Sequence, residues 1–171
     1  MKLCFIMGGV PGSGKSSAAR AIAQSNWMAS ENSMQSYHGV FWTEKSVQYF
    51  GYVYDGEVQE ICAAIHSTDE YFMKDGVYKF NPKQLGIFHN ANYKAFRQSL
   101  MDEIPIVICD NTNTQRKEWG KYAREAEQQG YIVAHVTLPH PKPQVAAKRN
   151  THGVPVEAIR RMINRWQDNR S

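Results

Sequence analysis

Residues Gly9-Val10-Pro11-Gly12-Ser13-Gly14-Lys15-Ser16 spell G-x-x-x-x-G-K-S, and the flanks of this octet constrain the chain more than the octet does. An apolar run, Leu3-Cys4-Phe5-Ile6-Met7, precedes it, and a helix-forming stretch from Ser16 to Ala23 follows. Strand, glycine loop and helix are the context in which this pattern becomes a phosphate cradle. The glycines let consecutive backbone N–H groups turn inward, and the new helix adds its positive end. Lys15 brings a full charge to the terminal phosphates, and the Ser16 hydroxyl is placed to hold a magnesium ion. Gly9, Pro11, Gly12, Ser13, Gly14, Lys15, Ser16 and Ser17 are therefore the expected nucleotide-binding residues. The expected ligands are ATP, with GTP as the alternative, and Mg²⁺.

A chain of 171 residues has the length of one domain, and residues 1–171 are read as such. Strand-like and helix-like segments alternate along it. Strands are expected at about 3–8, 61–67, 104–110 and 131–138. Helices are expected at about 15–26, 81–100, 114–129, 143–150 and 155–168. That alternation predicts an α/β fold, a parallel sheet with flanking helices in three layers, with ligands at the C-terminal strand ends. Residues 27–60 read as an irregular, atypical insertion. Eight of the twenty aromatic residues lie between Trp27 and Tyr54: Trp27, Tyr37, Phe41, Trp42, Tyr49, Phe50, Tyr52 and Tyr54. Such residues pack covers and interfaces, or stack on bases, and composition leaves both uses open.

Charge is unevenly placed. From Pro139 onward seven Lys/Arg face two acidic residues, a net +5, so the remainder of this +4 chain carries −1. A basic end suits a polyanionic ligand. The apolar run after Lys2 is too short for a secretory signal, and no segment approaches the ~18 apolar residues of a membrane helix. A cytoplasmic protein without a membrane partner is expected. Cys4, Cys62 and Cys109 show no C-x-x-C spacing; Cys4 and Cys109 lie in apolar runs and read as buried thiols in a reducing compartment, not as zinc ligands.

Two carboxylates are expected beside the loop. Asp69 follows the strand at 61–67, on the edge where a base could take the proton of an incoming hydroxyl. Asp110 ends the apolar run Ile104–Cys109 and is expected to order magnesium through water. Asn111-Thr112-Asn113-Thr114 then caps the next helix or orients the carboxylate. Arg149, late in the chain beside Lys148, is expected to fold over the triphosphate and neutralise charge on the moving phosphoryl group.

The ordered set G-x-x-G-S-G-K-S, S-T-D-E-Y-F, I-C-D-N-T-N and A-K-R-N resembles the polynucleotide 5′-kinase group of P-loop phosphotransferases, over residues 1–26 and 61–168. The resemblance implies a P-loop NTPase fold and Mg²⁺- and ATP-dependent transfer of a γ-phosphoryl group to a hydroxyl of a nucleic acid or nucleotide, at a 5′ end or on a modified base. It implies Asp69 as general base, Lys15 and Ser16 on phosphate and magnesium, and Arg149 as the lid arginine. Asp110, Thr112 and Asn113 fall on the group's D-T-N-like segment, with Asn111 inserted. Where end kinases carry an arginine three positions after the base, this chain has Phe72. Lys74, Lys79 or the basic C-terminal helix are the alternatives for holding the acceptor. Other readings are a nucleotide-binding regulator without an acceptor and a small-molecule kinase. A remote one is a 2′,3′-cyclic phosphodiesterase using His66-Ser67-Thr68 and His135-Val136-Thr137.

Overall fold

The computed structural model describes residues 1–25 and 38–166. Trp27 and Tyr37, and the distal part of the expected last helix, lie outside the described residues. In chain order the elements are β1 (Leu3–Gly8), α1 (Lys15–Ser25), β2 (His38–Glu44), β3 (Val47–Tyr54), β4 (Glu57–His66), β5 (Met73–Lys74), β6 (Val77–Tyr78), α2 (Leu85–Met101), β7 (Ile106–Cys109), α3 (Arg116–Gln128), β8 (Ile132–Thr137), α4 (Pro143–Arg149) and α5 (Val156–Asn164). One 3₁₀ turn, Thr68–Phe72, follows β4, and another, Pro82–Gln84, leads into α2.

The main sheet has the order β2-β3-β4-β7-β1-β8. It is mixed, not wholly parallel as the alternation of segments predicts. β4, β7, β1 and β8 run parallel, while β2 and β3 extend the sheet antiparallel beyond β4. Residues 38–60 are thus strand and not irregular. The turns explain it. Lys45-Ser46 and Asp55-Gly56 are two-residue loops in which both positions have positive φ, the geometry that matches strand twist. Asp75-Gly76 closes the small β5–β6 hairpin in the same way.

Alternate residues of the buried strands face opposite helical layers, as a period of two requires. Cys4, Ile6, Val107 and Cys109 pack with Phe96 and Leu100 of α2 and Trp119, Tyr122 and Ala123 of α3. Met7, Ile106, Ile108 and Ile65 pack with Ala19 and Ala23 of α1, and Phe50 joins that layer from β3. Phe41 and Tyr52 flank the same layer, and Tyr49 flanks the other. Trp42 and Tyr49 meet across the β2–β3 ladder at 5.6 Å. The described aromatics of the 27–60 segment are therefore sheet residues. All three cysteines are buried free thiols. No helix among the described residues is long and apolar enough to cross a membrane.

Phe72 is 1% exposed and anchors the segment after β4, with its ring 4.8 Å from Phe88, 5.0 Å from Phe80 and 5.9 Å from Tyr78. Truncating such a ring costs about 3–5 kcal/mol. Phe72→Ala is expected to lose that much stability in urea unfolding, while a Phe72→Leu variant keeps most of it.

Candidate active site

Parallel pairing puts the C-terminal ends of β1, β4, β7 and β8 on one edge of the sheet, and the expected site residues follow three of those ends. From β1 the chain enters the loop at Gly9, whose N–H donates to Thr112 O at 3.1 Å. The loop is therefore braced by the segment that leaves β7. Ser13 N–H turns back to Val10 O at 3.1 Å. α1 starts at Lys15, so the first-turn N–H groups, which have no partner within a helix, face the loop. Gly12 has φ +80°, and a Cβ there would run into the Ala146 carbonyl of α4. Only glycine lets α4 close onto the loop. Val10, Ala146 and Ile159 of α5 are all fully buried at that junction.

The Ser16 hydroxyl donates to Asp110 Oδ2 at 2.7 Å. Asp110 continues the β4–β7 pairing through its N–H to His66 O at 2.9 Å, which fixes its position. Its second oxygen, Oδ1, is buried without a hydrogen-bond partner. Burial pushes the carboxyl up to about 6; Lys15 and the Ser16 hydrogen bond oppose the rise, and the Asp69 charge adds to it. Lys15, Asp69 and Asp110 thus lie within electrostatic reach of one another. A hydroxyl beside a carboxylate with a spare oxygen fits a hard cation of the magnesium type, which needs few protein ligands. Among the described residues no group of three or more His, Cys, Asp or Glu side chains is placed to cage a metal.

Asn111 and Asn113 do not cap α3. The N-cap is Gln115, and Glu118 completes a capping box by reaching back to the N–H of Gln115 at 3.3 Å and of Thr114 at 2.7 Å. Asn111 Oδ1 instead accepts the Thr68 N–H at 2.9 Å, tying the end of β4 to the end of β7. Buried Asn113 donates to Met7 O at 2.7 Å and tethers β1. The three strand ends are locked together by side chains of the Asn-Thr-Asn segment.

Asp69 sits in the 3₁₀ turn with its side chain 48% exposed. Tyr78 of β6 donates its hydroxyl to Asp69 Oδ1 at 3.0 Å. Burial first, then Asp69, raise the Tyr78 pKa, so the phenol keeps its proton. His152, between α4 and α5, brings Nε2 to 3.7 Å from Asp69 Oδ2, and its ring lies 4.1 Å from that of Tyr78. Asn150 shapes this turn by accepting the Val154 N–H at 2.8 Å and donating to Ala147 O at 2.7 Å. Tyr78 and His152 are not among the site residues that the sequence predicts. The Asp75-Gly76 turn that delivers Tyr78 is a readable signal; nothing in the sequence marks His152.

Asp69, Pro11 of the loop and Thr112 line a single cavity of about 780 Å³. Its other walls come from the β5–β6 hairpin, the starts of α2 and α3, and α5. Arg149 is exposed in the last turn of α4, one turn beyond the Ala146 carbonyl that meets Gly12, and is not among the cavity's lining residues. Lys74 and Lys79 are exposed and also do not line it. None of the described aromatics of β2 and β3 reaches it.

The two H-x-T histidines do not form one site. His66 on β4 and His135 on β8 lie three strand spacings apart, about 14 Å. His66 is fully buried against Ser99 and Phe96, and burial lowers its pKa to about 3, while His135 packs on Trp119.

No protein-family model matches the chain. It is 37% identical over 106 residues, 60% of its length, to human NEDD4-binding protein 2. The chain spans only 6% of the length of that relative.

A carboxyl raised to about 6 holds a proton in the folded chain that the unfolded chain, near 3.8, has already released. Stability contributed by this group therefore falls as pH rises from about 4 to about 6. Asp110→Asn removes the effect. In urea unfolding with a chelator present, the variant should gain about 2 kcal/mol over the parent between pH 4 and pH 7. A pH-independent difference would contradict the burial argument.

Proposed function

We propose that the chain is a P-loop phosphotransferase of the polynucleotide-kinase type. On this reading it uses ATP and Mg²⁺ in the cytoplasm to phosphorylate a hydroxyl of a nucleic acid or nucleotide. The observation that carries the reading is the meeting of the Lys15–Ser16 loop, the buried Asp110 and the half-exposed Asp69 on one sheet edge, with Asp69 and the loop residue Pro11 facing one cavity.

In the proposed reaction the acceptor hydroxyl lies against the Asp69 carboxylate, which takes its proton. The freed oxygen attacks the γ-phosphorus, the bond from that phosphorus to the β–γ bridging oxygen breaks, and ADP leaves with the electron pair. Lys15 and the first-turn N–H groups of α1 hold the phosphates, and Arg149, swung over from the end of α4, spreads the equatorial charge. Ser16 and Asp110 would hold Mg²⁺, which supplies neutralising charge to the β- and γ-phosphates. Tyr78 and His152 hold the Asp69 carboxylate in place. It keeps capacity for the acceptor proton, because an ionised carboxylate has about four acceptor sites.

A regulator that binds nucleotide without an acceptor would use the loop but would not need Asp69. The two are separated by Asp69→Asn. Transfer of label from γ-labelled ATP should fall about 10²–10⁴-fold, with ATP affinity unchanged within about twofold. The panel for this assay is DNA, RNA, modified-base DNA and mononucleotides. Label appearing only as free phosphate with every acceptor would overturn the transferase reading.

A further inference from the structure

The α3 wall of the cavity carries two ammonium groups that nothing so far explains. Lys117 and Lys121 are four residues apart, on the same face of α3, and both line the cavity that holds Asp69. Like charges at that spacing repel and weaken a helix slightly. Among the described residues neither has a carboxylate within 4 Å. The nearby acid of α3, Glu118, is already engaged by the Thr114 and Gln115 N–H groups and by Arg165 at 3.7 Å. Lys121 is drawn inward, with Nζ 4.6 Å from the Tyr93 ring centre and 5.3 Å from that of Tyr122, which is itself a cavity wall. Phe80, Leu85, Val154 and Met162 give the cavity an apolar wall, and the Glu118–Arg165 pair lines it as well. Phe80 is 54% exposed, a large ring left uncovered beside the cavity.

We infer that Lys117 and Lys121 form an anion subsite for the acceptor, and that the acceptor is a compact molecule or terminal unit carrying a phosphate on an apolar, nucleoside-sized body. The inference rests on the phosphotransferase reading of Asp69. A cavity of this volume encloses a ligand of that size. Its chemistries match three parts of such a molecule: a carboxylate for the hydroxyl, an apolar wall for the ring and two cations without a carboxylate partner for the phosphate. A bare nucleoside or neutral sugar would leave the two cations unpaired beside each other. A charge-assisted contact from each would make the phosphate the main source of selectivity.

The test uses the full chain with Mg²⁺ and labelled ATP, and compares nucleosides with their 2′-, 3′- and 5′-monophosphates and with a short oligonucleotide. At least one monophosphate, or the strand terminus, should exceed its nucleoside at least tenfold in kcat/KM. The double variant Lys117→Met/Lys121→Met, which keeps the apolar stems, should collapse that ratio to within about twofold through KM. Lys74→Met/Lys79→Met, outside the cavity, should leave it intact. Equilibrium binding of the preferred monophosphate without ATP should weaken at least tenfold in the first double variant, with thermal unfolding unchanged. Label passing to nucleosides as readily as to phosphate-bearing acceptors would overturn the subsite while leaving the transferase reading standing. Lysine-dependent binding with no transfer to any acceptor would uphold the subsite and overturn the transferase reading. A phosphate preference that survives in Lys117→Met/Lys121→Met overturns the assignment of these residues.

Discussion

The hydrogen bond from Ser16 to Asp110 joins the first turn of α1 to the end of β7, and the candidate site is arranged around it. Burying a carboxylate is costly, and one hydroxyl with a neighbouring lysine does not offset the loss of water. The raised carboxyl pKa and the unpartnered Oδ1 both record that deficit. A fold optimised for stability alone would place an apolar residue or an asparagine there. A polar group left short of partners at the C-terminal edge of a sheet, under a glycine loop, makes sense if something cationic completes it. The deficit and the proposed cation site are one feature seen from two sides.

Around that pair, geometry is enforced by side chains that belong to no regular element. Asn111 and Asn113 bind the ends of β4 and β1 to the end of β7, so the loop, Asp69 and Asp110 share one frame. The cover is fixed differently. α4 approaches so closely that only the absence of a Cβ at Gly12 permits it. Asn150 then shapes the turn that points His152 at Asp69. The loop glycine thus serves two needs, a positive φ for the turn and clearance for α4.

Much of this was legible in the sequence, for identifiable reasons. The loop motif, the apolar run before Asp110 and the Asn81-Pro82 start are local signals, and local chemistry decides them: Asn81 accepts the Lys83 N–H at 3.0 Å, as an N-cap should. The strands of residues 38–60 read as irregular although Asp55-Gly56 and its aromatic flanks are a hairpin signal; aromatic residues suit covers, interfaces and base stacking as well as a pleated sheet, so composition alone does not decide among them. Lys45-Ser46 was not readable, since neither residue favours positive φ. Tyr78 and His152 could not be assigned because their significance is a meeting of three separate segments. Asn111 and Asn113 suit caps and orienting hydrogen bonds alike by residue type, and the capping went to Gln115 with Glu118 from inside the helix.

The two carboxylates differ in exposure. Asp110 is sealed under the loop, where only a small cation could reach it, whereas Asp69 is half-exposed and faces a cavity of molecular size. The same cavity touches Pro11 of the loop, so a molecule within it abuts the place where a terminal phosphate would lie. The wall away from the loop is supplied by α3, whose start is fixed by Glu118 and whose cavity face carries Lys117 and Lys121. A rigid helix makes a better ruler than a loop for setting the distance between an anchored anion and a reacting hydroxyl. On the proposed reading, with the nucleotide on β1 and α1 and the acceptor on α3 and the 3₁₀ turn, one sheet edge would hold two negatively charged ligands. Each set of cations would then face its own charge.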